Sequence, residues 1–211
     1  MTEVKICGLS TPETLQTAIE SGARFVGFVF YPPSPRHVSV DIAANLARSV
    51  PTGVRSVGLF VDPDDETLVK VTRAVPLDMI QLHGDETPAC VSAIKALTHL
   101  PVMKAIRVAS AADLEGVEEF ENVADWLLFD TKLENADLPG GTGHSFDWNI
   151  LAGREFKKPW MLAGGVTAEN VTEALFILSP DAVDVSSGVE SSRGVKDSDK
   201  IKSFIEVVKN T

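Results

Sequence analysis

Apolar residues occur along the chain in eight short runs, separated by longer stretches in which they return every three or four positions. The runs are Val4–Cys7, Phe25–Phe30, Arg55–Val61, Met79–His83, Val102–Val108, Trp126–Thr131, Trp160–Ala163 and Ala182–Ser186. Their brevity and their β-branched and aromatic content predict strands. The stretches between them carry helix start signals. Thr11-Pro12-Glu13 offers an N-cap, a proline at the first helical position and an acidic first turn. Ser39-Val-Asp41, Glu86-Thr87-Pro88, Ser110-Ala-Ala-Asp113, Thr167-Ala-Glu169 and Lys196-Asp197-Ser198 open others, and Asp62-Pro63-Asp64-Asp65-Glu66 places four acids at one start. After Thr131 the predicted helix is the shortest, Asp147 to Leu151, and the loop before it is long.

Strands alternating with helices imply parallel pairing through crossovers. An open doubly wound sheet and a closed barrel both satisfy that alternation. The even spacing of starts, and the lack of Gly-x-Gly-x-x-Gly after the first strand, favour the barrel. The expected fold class is therefore α/β, a (β/α)8 TIM barrel, with residues 1–211 forming a single compact catalytic domain.

Composition narrows the function. The 211 residues are 44% hydrophobic and 23% charged, an ordinary globular balance. Thirty acidic against nineteen basic residues give a net charge of −11, which argues against nucleic acid as a partner. No apolar run approaches a membrane span, and the start MTEVKICG lacks a signal-peptide pattern, so a cytoplasmic protein without membrane association is expected. The two cysteines do not form a disulfide framework. With the four histidines at 37, 83, 99 and 144 they show no metal-ligand spacing, so neither metal nor cofactor is expected. No surface stripe separates a monomer from a homodimer.

Barrel active sites sit at the C-terminal ends of the strands, and those ends are rich in reactive groups. Cys7 ends the first strand. A lone cysteine is commonly a small buried hydrophobe; its position at a strand end shifts the balance toward chemistry, whereas Cys90, inside a helical stretch, keeps the bland reading. Asp130 ends the apolar run Trp126-Leu-Leu-Phe129, a setting suited to a general acid, although an aspartate there can also cap a turn. Strands one and six are three apart around an eight-membered ring, so the pair can flank a small substrate. Gly164 and Gly165 follow strand seven, and Ser187 and Gly188 follow strand eight. Barrels often build a phosphate site from those two loops, with backbone N–H groups as donors. Arg36, after Pro32-Pro33-Ser34-Pro35, is either held over the barrel mouth to meet a carboxylate or is an exposed surface arginine. His83 at the end of strand four is either a base or a polar wall of the binding site; a lone histidine is more often structural, so it is given no catalytic role.

Lys5-Ile-Cys-Gly-Leu9, Gly27-Phe-Val-Phe-Tyr-Pro-Pro-Ser-Pro-Arg36, Gln81-Leu-His-Gly-Asp85, Gly140-Gly-Thr-Gly143 with Phe146-Asp-Trp148, Leu162-Ala-Gly-Gly165 and Asp184-Val-Ser-Ser-Gly-Val-Glu190 together resemble phosphoribosylanthranilate isomerase, an enzyme family of tryptophan biosynthesis. The blocks stand in family order across nearly the whole chain. The resemblance implies an Amadori rearrangement of N-(5-phosphoribosyl)anthranilate, a small phosphoribosyl substrate, to 1-(2-carboxyphenylamino)-1-deoxyribulose 5-phosphate. It implies that Asp130 protonates the ribose ring oxygen, that Cys7 removes the C2 proton, and that Arg36 meets the anthranilate carboxylate. It further implies that Gly164, Gly165, Ser187 and Gly188 hold the phosphate, and that Asp184 bonds the ribose. Two departures are His144, where lysine is expected, and Ser179-Pro-Asp-Ala before the final strand. A histidine-pathway isomerase would use two aspartates, and indole-glycerol-phosphate synthase would need lysines at several strand ends. A non-catalytic barrel subunit would be marked by loss of Cys7 or Asp130, and both are present.

Overall fold

A computed structural model describes residues 2–132 and 145–211; Gly140–Gly143 and His144 lie outside the described residues. Eight parallel strands close into a barrel: β1 (Glu3–Cys7), β2 (Phe25–Val29), β3 (Arg55–Phe60), β4 (Met79–Leu82), β5 (Val102–Val108), β6 (Trp126–Thr131), β7 (Trp160–Leu162) and β8 (Ala182–Val185). Closure is made where β1 pairs with β8 as well as β2, with Lys5 opposite both Asp184 and Phe25. Several strands end one residue before the sequence reading placed their ends. The hydrogen bonding runs on past them: Phe30 N–H donates to Leu59, His83 N–H to Phe60 and Ala163 N–H to Phe129. The residues at these positions thus stand at the barrel mouth.

Around the barrel lie α1 (Pro12–Ser21), α2 (Val40–Ala47), α3 (Asp65–Ala74), α4 (Pro88–Thr98), α5 (Val117–Glu121), α6 (Val171–Ile177) and α7 (Ser198–Asn210). Their starts follow the cap signals closely. Thr11, Ser39, Asp64, Thr87 and Asp197 each accept from a backbone N–H of the first turn, and Pro12 and Pro88 take early helical positions. In the acidic run before α3 it is Asp64 that caps; Asp62 adopts φ +44° and accepts from Asp85 N–H instead. The helix expected from Ser110 is a 3-10 turn, Ala111–Leu114, followed by the short α5, because Gly116 turns left-handed at φ +79° between them. The segment from Asp147 to Leu151 contains a single 3-10 turn, Trp148–Ile150. A hairpin, β9 (Glu190–Ser192) with β10 (Val195–Lys196), follows β8; the sequence pattern did not predict it.

Strand side chains alternate between two cores. Val4 and Ile6, Ile80 and Leu82, Leu127 and Phe129, and Val183 and Val185 pack outward against the helices. The opposite positions face the barrel interior, which Phe25, Val57, Met79, Met103, Ala105, Leu128, Met161 and Ala163 fill. By the same alternation Lys5 and Cys7, Gln81 and His83, Asp130, and Asp184 point inward. The apolar pattern that folds the barrel thereby aims these polar groups into it.

Candidate active site

Two polar assemblies stand in the mouth, on opposite arcs of the ring. The first is built on β4 and β6. Asp130, 5% exposed, accepts from Thr131 N–H at 2.7 Å through Oδ1, and its Oδ2 lies 3.0 Å from His83 Nε2. Gln81, two residues earlier on the same inward face, places its amide Nε2 2.9 Å from His83 Nδ1. With Gln81 donating, Nδ1 accepts and the proton sits on Nε2, directed at Asp130. His83, read in the sequence as a base or a polar wall, is thus tied to Asp130. The loop after β7 closes against the same carboxylate. Gly164 has φ +82°, and a Cβ there would lie 2.8 Å from Asp130 Oδ1 and 2.6 Å from Thr131 N, so only glycine fits.

The second assembly is built on β1, β8 and the β9–β10 hairpin. Cys7 is 4% exposed, and beneath it lies Lys5, which is fully buried and donates from Nζ to Asp184 Oδ1 at 2.8 Å. Burial pushes the Cys7 thiol up; Lys5 and Lys196 pull it back and Asp184 adds to the rise. Burial also works against the Lys5 charge, but Asp184 and Cys7 outweigh it and leave the lysine above its ordinary value. Asp184, expected to meet the ribose, has this oxygen on Lys5. Ser186 Oγ donates to the Cys7 carbonyl at 3.1 Å, and Lys196 Nζ donates to the Ser186 carbonyl at 2.9 Å.

Arg36 is buried, so the surface-arginine alternative does not hold. Its side chain crosses Gly8, where a Cβ would come within 2.9 Å of Arg36 Cδ. Its Nε and Nη2 donate to the two oxygens of Glu190 at 2.6 and 3.0 Å, and Lys196 Nζ donates to the same carboxylate at 2.7 Å. Burial alone would raise the Glu190 carboxyl. Arg36, Lys196 and the Gly194 N–H overcome that and lower it to about 2. The folded value lies below the ordinary 4.5, so its stabilisation is complete above that pH and is lost as pH falls through about 2. Glu190→Gln is expected to lose on the order of 3 kcal/mol at neutral pH, since it also takes a carboxylate away from two buried cations. Denaturant unfolding of both proteins should show this gap narrowing below pH 4.5; a constant gap would contradict the pairing.

The loops after β7 and β8 meet at one place. Gly165 has φ +64°, and a Cβ at Gly188 would overlap the Val166 carbonyl at 2.3 Å. Gly164-Gly165 and Ser187-Gly188 are therefore neighbours, with Ser187 and Gly188 in a 3-10 turn, Ser187–Val189. Sequence reasoning missed Lys5, Gln81, Glu190 and Lys196. For the first two a signal was present: each is polar, two residues before a mouth residue, on the inward face of an apolar strand. Glu190 closes a motif block and Lys196 stands at a helix start, but nothing marked a role in the site for either, because the hairpin that carries them was not anticipated. A further buried pair, Lys104 with Glu86 at 2.6 Å, also binds the Gly84 carbonyl and fixes the loop after His83.

The model of the family described as N-(5'-phosphoribosyl)anthranilate isomerase matches residues 4–207. The N-(5'-phosphoribosyl)anthranilate isomerase of Paracoccus denitrificans is 58% identical over 203 residues, covering 96% of this chain and 94% of its own length. A phosphoribosyl anthranilate isomerase solved with reduced 1-(o-carboxyphenylamino)-1-deoxyribulose 5-phosphate superposes with a TM-score of 0.88 at 36% identity, each chain fully covered. A structure of monomers made from the dimeric enzyme of Thermotoga maritima superposes at 0.87 with 37% identity, again over all of both chains.

Proposed function

Since the chain belongs to the N-(5'-phosphoribosyl)anthranilate isomerase family, we propose how its side chains divide the chemistry of that reaction. The reaction is the conversion of N-(5-phosphoribosyl)anthranilate to 1-(2-carboxyphenylamino)-1-deoxyribulose 5-phosphate, an aldose–ketose isomerisation in tryptophan biosynthesis. The observation that carries the assignment is the inward placement of Cys7 and Asp130 at the mouth ends of β1 and β6.

Asp130 is the acid. It gives its proton to the ribose ring oxygen, the C1–O bond breaks, and the anthranilate nitrogen becomes a protonated imine. The N–H groups of His83 and Thr131 remain on the two oxygens and stabilise the carboxylate that forms. Cys7 is the base. The cationic imine withdraws electrons from C2 and makes its proton acidic, so Sγ takes it and leaves an enolamine, which tautomerises to the ketone. Arg36, aligned by Glu190, meets the anthranilate carboxylate. Gly164, Gly165, Ser187 and Gly188 receive the phosphate through backbone N–H groups, without needing a positive net charge. His83 acts on the substrate through Asp130. These steps need no metal or cofactor.

The whole chain serves as one catalytic domain, acting in the cytoplasm; no helix among the described residues is long and apolar enough to cross a membrane. Its assembly is a monomer or a homodimer, the latter as named for the Thermotoga maritima relative; sedimentation at assay concentration separates them. The function itself is tested with freshly made phosphoribosylanthranilate. The protein is expected to quench its anthranilate fluorescence faster than buffer does, and equal rates would overturn the reading.

A further inference from the structure

Among the described residues Lys5 is the largest charged side chain that the barrel encloses completely, and its ion-pair partner, Asp184, lies across the closure of the ring. Such a pair is poorly explained by stability. Desolvating two charges offsets most of their attraction, and well-packed apolar residues commonly replace a buried pair without loss. The interior around it is already built from Phe25, Val57, Met103, Ala105 and Leu128, so another apolar side chain would suit the packing.

Position explains what stability does not. Strand alternation sets Lys5 and Cys7 on the same inward face, one directly below the other. The neighbouring position on β2 is Gly27, paired in register with Cys7. A side chain there would begin 3.1 Å from Cys7 Sγ and 3.4 Å from Lys5 Nζ, so the absence of a Cβ gives the sulfur and the ammonium a shared space. Asp184 fixes the ammonium from the β8 side at 2.8 Å. The charged groups around the sulfur are then Lys5 from β1, Asp184 from β8 and Lys196 from β10, with Glu190 behind Lys196 and Arg36 across Gly8; β2 contributes no charge.

We propose that Lys5, held by Asp184, is a positioning residue whose ammonium stabilises Cys7 as the thiolate, and that Asp184 acts on the reaction through Lys5. The proposal rests on Cys7 being the base. In the resting site Lys5 and Asp184 cancel, so forming the thiolate leaves one net negative charge among the three. Removing the lysine charge makes that state harder to reach, and removing the aspartate charge makes it easier. Burial of the thiol acts against the base, and the Lys5 charge opposes it.

The test is a pH titration of the ultraviolet absorbance of the Cys7 thiolate, in unliganded protein carrying Cys90→Ser. Lys5→Met is expected to raise the midpoint by at least about one pH unit, a tenfold loss of thiolate at fixed pH below it. Asp184→Asn is expected to move the midpoint down, and Lys5→Arg to leave it near the starting value. A residue that only supports the fold would move no midpoint, or would move both variants the same way; either result overturns the proposal. If Lys5→Met fails to fold, Asp184→Asn decides alone, and a rise or no change there overturns it. In turnover, the acid limb of kcat/KM for Lys5→Met should shift with the titration, so activity recovers as pH rises. The titration needs no catalysis, so it can fail while Cys7 remains the base. Conversely, normal turnover in Cys7→Ser would remove the base and leave the titration unaffected.

Discussion

Asp130→Asn is expected to lower kcat/KM by about 10²–10⁴-fold, the usual worth of a positioned acid. The amide has the size of the carboxyl group but no proton to give to the ring oxygen, so the ring stays closed and no imine forms. The surroundings are able to accept the change. Asparagine can keep an oxygen on Thr131 N–H and turn its NH2 toward His83 Nε2, which then accepts. His83 would carry its proton on Nδ1, and Gln81 would turn its amide to present Oε1, an atom that is buried without a partner among the described residues. The fold should therefore survive, with a melting temperature close to that of the parent. Steady-state kinetics by fluorescence loss, alongside thermal melting, read both halves. A folded variant with near-normal kcat/KM would remove Asp130 from the acid role.

Cys7→Ser is expected to cause a loss of the same size, at a different step. The hydroxyl fits the space of the thiol, but it is a far weaker acid and offers no appreciable alkoxide to remove the C2 proton. Lys5 and Asp184 would still pair below it, so the interior charges stay satisfied. Ring opening by Asp130 is untouched, which places the block after imine formation. The same assay measures it, and turnover within a few-fold of the parent would exclude Cys7 as the base.

Much of this was legible in the sequence because it is written locally. A strand shows itself by short apolar runs, and a helix start by Thr11-Pro12 or Thr87-Pro88, since the cap bonds to residues three positions away. Closure into a barrel followed from eight even repeats, and the mouth residues followed from closure. Several strand ends were misplaced by one residue, because hydrogen bonding continues past the last paired residue, as at His83. The start signal at Ser110 opens only a 3-10 turn, because Gly116, at positive φ, separates it from α5. Partnerships across the ring were not visible at all. Lys5 and Asp184 are 179 positions apart, and Arg36 and Glu190 are 154 apart. Local pattern carries no trace of such pairs, and only the closed barrel brings them together. What the sequence did carry was their unusual placement, a lysine and a glutamine on inward faces where apolar residues are expected.

In the proposed arrangement one substrate lies between Cys7 and Asp130, with its phosphate on the β7 and β8 loops and its carboxylate at Arg36. A crystal structure of this protein with reduced 1-(o-carboxyphenylamino)-1-deoxyribulose 5-phosphate tests that arrangement directly. The predicted result places the sugar C1–C2 unit in contact range of both Cys7 Sγ and the Asp130 carboxyl group, roughly 3–3.5 Å as reacting groups require, with the phosphate on Gly165 and Gly188 N–H. An analogue seated with its sugar carbons out of reach of either side chain, or with its phosphate elsewhere, would contradict it.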